Sequence, residues 1–201
     1  MVSKIKDYEF QTQCVEFLIE KTVETTSKQV ITVKAPTGAG KTIILIKYVD
    51  EFLKNTAGNT AFVWLCPGKG NLEEQSKARM EEVTPHIDTR NLMYSMMVGF
   101  EPGSVTFINW ELVTKRGNTA LKDSERSNLY EKIAEAHKDG TEFVVIIDEE
   151  HLNNTKKADD VINAFAAKNI IRVSATANKV PHQEYYETVS YTHLRAHETS
   201  A

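Results

Sequence analysis

The chain has 201 residues, 41% hydrophobic and 26% charged, with a formal net charge of −4. That is the composition of one globular domain, at most two. Folding at this length hides about 70% of the surface the unfolded chain exposes, so neither disulfides nor a structural metal is needed. No apolar run approaches the roughly 18 residues of a membrane span, Met1 to Phe10 lacks the apolar centre of a signal peptide, and the net acidity excludes a binder whose whole surface is basic; a cytoplasmic protein without membrane attachment is expected.

No repeat, low-complexity tract or Pro/Gly-rich linker divides the sequence. Phe10, Cys14, Phe17 and Leu18 recur at helical spacing and predict a first helix with one buried stripe. Val30 to Ala35 is a β-branched run ending in Pro36-Thr37-Gly38-Ala39-Gly40, and Lys41 to Leu53 has the apolar content of a helix buried on most sides. Thr60 to Cys66 predicts a strand stopped by Pro67. Leu72, Arg79, Met80 and Val83 then mark one face of a helix, with Arg79 able to snorkel. Val105 to Ile108 is a further strand. Leu129, Ile133 and Ala136 mark a helix entered near Ser124 or Ser127 and closed by Gly140. Phe143 to Ile147 are five consecutive apolar residues before Asp148, the pattern of a strand buried on both faces. Ala158, Val161, Ile162 and Phe165 predict a helix with Thr155 as its N-cap, and Ile170 to Val173 is the last clear strand. Cys14 and Cys66 stand in apolar contexts and read as buried small hydrophobes. Strands alternating with helices imply an α/β fold: three αβα layers around a mostly parallel sheet joined by right-handed crossovers.

Ala35-Pro36-Thr37-Gly38-Ala39-Gly40-Lys41-Thr42 fits the phosphate-binding loop pattern, with Ala in place of the first Gly. Glycines let successive backbone N–H groups curl around phosphates at a helix N-terminus, Lys41 supplies a point charge to the β- and γ-phosphates, and the Thr42 hydroxyl can ligate Mg²⁺. Asp148 and Glu149 leave the carboxyl end of the Phe143–Ile147 strand, where ligands bind in open α/β sheets. Asp148 can hold Mg²⁺ through water while Glu149 orients and deprotonates the attacking water. Two acids with distinct roles point to hydrolysis rather than binding alone. His151 follows three residues after Asp148, and the hydroxyls of Ser174-Ala175-Thr176 emerge from the next strand at the same edge, within hydrogen-bonding reach of the acidic motif.

In order and spacing, residues 35–42, the box Asp148-Glu149-Glu150-His151 and Ser174-Ala175-Thr176 resemble motifs I, II and III of superfamily-two helicases and translocases, whose first domain is a RecA-like P-loop fold. Tyr8-Glu9-Phe10-Gln11 is similar to the family's adenine-reading segment, and Pro67 through Leu72 to Gln75 resembles motif Ia, which touches the nucleic-acid backbone. Within that superfamily, Asn109-Trp110-Glu111, the stretch His151 to Ala158 and the Ser-Ala-Thr box look most like the ATP-driven Res subunit of type III restriction enzymes. Residue by residue, the resemblance implies Gln11 for adenine, residues 36–41 (Pro36, Thr37, Gly38, Ala39, Gly40 and Lys41) for phosphates, and Thr42 and Asp148 for Mg²⁺. It further implies Glu149 for water activation and His151, Ser174 and Thr176 for coupling hydrolysis to strand movement. The cofactors implied are ATP and Mg²⁺. Glu150 stands where the box usually has Ala, residues 67–72 hold one residue more than the commonest motif Ia spacing, and Ala177 follows Thr176 where Pro is frequent.

Pro67, Lys69 and Asn109 are candidate nucleic-acid contacts, and Lys77, Arg79, Lys115 and Arg116 belong either to the same phosphate-contacting patch or to a solvated face. Trp110 is expected to fill core rather than stack on a base. DNA, double-stranded, is the expected partner of the motor. Binding by this domain alone should be weak, salt-sensitive and independent of sequence. The motor domain is expected to span residues 1–188. The residues after Thr176 are too few for a second RecA-like domain carrying arginine fingers, each worth about 10³ to 10⁵ in rate, so poor turnover alone is expected. A second domain and a methyltransferase (modification) subunit are the implied partners. Residues 189–201 resemble neither strand nor helix nor the family's continuation and read as a non-native or disordered tail; His193 and His197 lack the further ligands a zinc site needs. The alternatives are a nucleotide-gated interaction module, or another P-loop NTPase without helicase activity.

Overall fold

The computed structural model describes residues 8–56, 58–68, 71–111, 123–148 and 156–188. In chain order they form α1 (Glu9–Val23), β1 (Gln29–Lys34), α2 (Lys41–Asn55), β2 (Thr60–Cys66), α3 (Leu72–Val83), β3 (Asp88–Asn91), α4 (Leu92–Val98), β4 (Ser104–Asn109), α5 (Asp123–Lys138), β5 (Glu142–Asp148), α6 (Lys156–Ala164), β6 (Asn169–Ser174) and β7 (Glu184–Glu187). The strands make a single seven-stranded sheet in the order β3-β4-β2-β5-β6-β1-β7, and every pairing in it is parallel. A mostly parallel sheet was the expectation; the described sheet is wholly so.

Its central strands show why. All seven residues of β2 are buried. Phe62, Trp64 and Cys66 enter one apolar cluster with Cys14 and Leu18 of α1 and Ile44, Leu45 and Tyr48 of α2. Ala61, Val63 and Leu65, pointing the other way, join Leu92 and Met96 of α4, Leu129 and Ile133 of α5 and Val161 of α6. β5 divides likewise, with Val144 and Ile146 on the first face and Phe143, Val145 and Ile147 on the second. A strand with no polar face is stable only between two covering layers, so β2 and β5 force the three-layer arrangement.

Most expected elements recur within a residue or two of their sequence bounds. Leu72 is a correction: it is 36% exposed at the start of α3, and the buried side of that helix is carried by Ser76 and Met80. Periodicity overlooked β3, α4 and β7. β3 and β7 are four-residue polar edge strands, Asp88-Thr89-Arg90-Asn91 and Glu184-Tyr185-Tyr186-Glu187, and an edge strand needs no apolar run. Buried Arg90 is held there by Asp88 and Glu101. α4 has seven residues, too few to establish a helical period, and is started by the Asn91 side chain accepting from the Tyr94 N–H at 2.9 Å. Gly140 follows α5 with φ of 83°, as its stop signal requires. The caps Ser124, Ser127 and Thr155 and the tail 189–201 lie outside the described side chains or residues.

Phe143 sits edge-on to Phe100 and Phe165, with ring centroids 5.6 and 5.2 Å away. Phe143→Ala is therefore expected to lower stability by about 3–5 kcal/mol, read from the urea unfolding midpoint. A loss below about 1 kcal/mol would mean this face is not close-packed.

Candidate functional site

Parallel strands end on one edge, and that edge gathers the expected motifs. β1 runs into residues 35–40, β6 into Ser174-Ala175-Thr176, β5 ends on Asp148, β2 leads to Pro67 and Gly68, and β4 ends on Asn109. Direct contacts join neighbours along it. The Ala35 N–H donates to the Ser174 carbonyl at 3.1 Å, and Asp148 pairs in register with Val173.

The loop between β1 and α2 turns on two glycines. Gly38 has φ of 84°, and Gly40, at φ 77° and ψ 40°, caps α2 in the left-handed region with no side-chain cap. Ala35 is not among the positive-φ residues, so Ala at the first pattern position costs the loop nothing in backbone strain. The Ala39 N–H closes a turn on the Pro36 carbonyl at 3.1 Å. Lys41 and Thr42 then open α2, whose first-turn N–H groups have no acceptor within the helix and whose dipole favours an anion there.

Gln11 lies in the first turn of α1 and is 4% exposed. Its Nε2 donates to the Ala39 carbonyl at 3.0 Å, and its Oε1 accepts from Lys47 Nζ at 3.5 Å. A Cβ on Gly40 would come within 2.7 Å of that Nε2. Glycine at 40 is favoured by its backbone angle, and any larger residue there would also have to push the Gln11 amide aside.

Asp148 is half-buried at the end of β5. Burial, with the charges of Asp148 and Glu73 adding to it, pushes the Cys66 thiol far above its ordinary range, so Cys66 is an inert neighbour of this edge rather than a nucleophile. Burial alone raises the Cys14 thiol to about 12. Buried Ser174 accepts from the Thr176 N–H at 3.2 Å, and its Oγ lies 3.4 Å from Thr176 Oγ1, so the two hydroxyls are held in one turn. Among the described residues no group of three or more His, Cys, Asp and Glu is arranged to hold a metal. Thr42 and Asp148 offer a hydroxyl and a carboxylate, the oxygen donors that suit Mg²⁺ when phosphates and waters supply the rest of its shell.

The segment resembling motif Ia lies beside acidic side chains. Pro67 is buried and Asn109 half-buried. The Asn109 Oδ1 accepts from the Glu111 N–H at 2.9 Å, and the Glu111 side chain crosses Gly68 so closely that any Cβ there would overlap it. Burial first, and the Glu74 charge second, hold the Glu73 carboxyl above the usual range, against the pull of the Asn109 N–H. Glu73 was not singled out from the sequence, and Glu111 was named there only as part of the Asn109-Trp110-Glu111 segment. Lys77 and Arg79 are ion-paired with Glu81 and Glu82, and Trp110 is buried, as its core reading expected. Glu149, Glu150, His151, Lys69, Lys115 and Arg116 lie outside the described residues.

The family model "Type III restriction enzyme, res subunit" matches residues 4–179. No curated protein matches the chain. Among solved structures it is similar to the UvsW helicase from bacteriophage T4, with a TM-score of 0.59 and 14% identity over 91% of this chain and 60% of that one. It is also similar to the Sulfolobus solfataricus SWI2/SNF2 ATPase core in complex with dsDNA, with a TM-score of 0.61 and 14% identity over 87% and 33%. A nuclease-deletion mutant of the type ISP restriction-modification enzyme LlaGI, in complex with a DNA substrate mimic, matches at 0.61 and 14% over 96% and 20%. These likenesses are of fold, and this chain spans less than two thirds of each of the three.

The loop geometry makes a differential prediction. Gly38→Ala meets nothing within 4 Å and bears only its backbone angle, whereas Gly40→Ala must also displace Gln11. Gly40→Ala should cost about 1–3 kcal/mol and more than Gly38→Ala, measured by urea unfolding; equal losses would contradict the close Gln11 contact.

Proposed function

Because this chain belongs to the family of the type III restriction enzyme res subunit, we propose that it is an ATP-binding motor domain that drives translocation along DNA. The observation that carries the reading is the loop 35–40, with left-handed Gly38 and Gly40 opening onto the N-terminus of α2 at the edge where Asp148, Ser174 and Thr176 also emerge. In this reading the loop N–H groups and Lys41 bind the phosphates, Gln11 reads adenine, and Thr42 and Asp148 hold Mg²⁺, which supplies neutralisation of charge on the phosphates when bound. Glu149 orients and deprotonates the attacking water. His151, Ser174 and Thr176 transmit the state of the site to the segments that touch nucleic acid.

The DNA partner is proposed from the company this fold keeps: two of the similar structures are described as complexes with dsDNA or a DNA substrate mimic. Pro67, Lys69 and Asn109 are the proposed contacts; Glu73, Glu74 and Glu111 stand close to Asn109 or Pro67–Gly68, and acidic neighbours weaken binding to phosphates and flatten its dependence on salt. Among the described residues no helix is long and apolar enough to cross a membrane, and the proposed site of action is the cytoplasm. The motor domain is taken as residues 1–188, with a second RecA-like domain supplying arginine fingers and a methyltransferase subunit as further partner.

Calorimetry with ATP·Mg²⁺, with hydrolysis followed in the presence and absence of duplex DNA, tests the reading. We expect ATP to bind, Lys41→Ala to abolish binding, and turnover by residues 1–201 to stay far below about one per second. Glu149→Gln should retain ATP while removing the residual hydrolysis. Absence of ATP binding would overturn the reading, and hydrolysis indifferent to Glu149→Gln would favour a nucleotide-gated module.

A further inference from the structure

Lys47 stands alone as a charge within the apolar run Ile43 to Val49 of α2, at a position no motif explains. It lies six residues beyond Lys41, about 9 Å along the helix axis and about a third of a turn around it. Its place in the helix therefore does not direct it at the phosphates. Its ammonium instead meets Gln11 Oε1 at 3.5 Å, on the side of α2 that faces α1, beside Glu16, Asp50 and Glu51.

We propose that Lys47 is a positioning residue of the phosphate loop, acting through Gln11: the Lys47 to Gln11 to Ala39 chain holds the Ala39 carbonyl outward and so aims the Gly40 N–H into the loop. The inference rests on the nucleotide reading above and deepens it. Three features of the geometry carry it. An ammonium only donates and a carbonyl only accepts, so with Lys47 on one end and Ala39 on the other, the Gln11 amide has one possible orientation. The Ala39–Gly40 peptide is trans, so its C=O and N–H point in opposite directions; drawing the carbonyl toward α1 turns the N–H the other way. Gln11 is 4% exposed and its Nε2 lies where a Cβ on Gly40 would come within 2.7 Å, so the amide is packed directly against the loop it holds.

Both ends of the Gln11 amide are thereby engaged in holding the loop. Reading adenine requires the same two atoms. Base recognition and loop support draw on one side chain, and a ligand without a base separates them.

The test is calorimetry of the whole chain with Mg²⁺-tripolyphosphate and with Mg²⁺-ATP at fixed ionic strength. The variants are Gln11→Ala, Lys47→Met, Lys47→Arg and the Gln11→Ala/Lys47→Met double, each checked for an unchanged thermal midpoint. Lys47→Met removes only the donor that orients the Gln11 amide, freeing it to turn away from Ala39, and keeps the test open if Gln11→Ala fails to fold. Each single loss should weaken tripolyphosphate about tenfold, the effect of one hydrogen bond to a charged group. Lys47→Arg should restore wild-type affinity, and the double variant should be no weaker than Gln11→Ala. Tripolyphosphate affinity unchanged in both singles would overturn the proposal, leaving Gln11 to the base alone. Additive losses in the double would overturn it too, because Lys47 would then act on the phosphates directly. A wild-type chain that binds neither ligand removes the nucleotide reading itself, and this proposal with it.

Discussion

Parallel pairing obliges the chain to re-enter the sheet from the same side for every strand, so each connection crosses a face and the carboxyl ends collect along one edge. With all described pairings parallel, that constraint organises the molecule. The connections cover both faces, which lets β2 and β5 be apolar on both of theirs, and the collected ends bring the loop 35–40 together with Asp148 and Ser174, each more than a hundred residues later in the chain. The site is a consequence of the topology rather than an addition to it.

Within that edge the conformation of one loop decides what the site can bind. Two left-handed glycines bend it, the Ser174 carbonyl ties down its first residue, and Gln11 braces its last turn from α1. β6 and α1 thus hold the same six residues at two points, Ala35 and Ala39. Both left-handed positions fall on glycine, so the bend itself carries little strain, and the Gln11 contact at Gly40 holds it from outside.

Much of this was legible in the residues themselves. β2 was expected at Thr60 to Cys66 and is found there, because Pro67 ends it and both its faces are apolar. The glycine loop was legible because phosphate chemistry restricts residue type at fixed spacing. What escaped has physical reasons. β3 and β7 are polar edges whose only requirement is a backbone neighbour, and that neighbour is remote in sequence. Leu72 looked like part of a buried face because spacing cannot tell a helix's first turn, still outside the core, from its middle. Lys47 carried a signal, a charge inside an apolar run, but its meaning depends on Gln11, thirty-six residues earlier. Glu73 and Glu111 acquire their setting only when β2 and β4 lie side by side.

The central claim is that residues 36–42 form an anion cradle from backbone N–H groups, and amide hydrogen exchange with and without Mg²⁺-ATP measures those groups directly. The account predicts marked slowing of exchange at Gly38, Gly40, Lys41 and Thr42 on adding nucleotide, with the amides of β3 and α4 unchanged. Exchange in the loop that is indifferent to nucleotide, or slowing spread evenly over the chain, would contradict it.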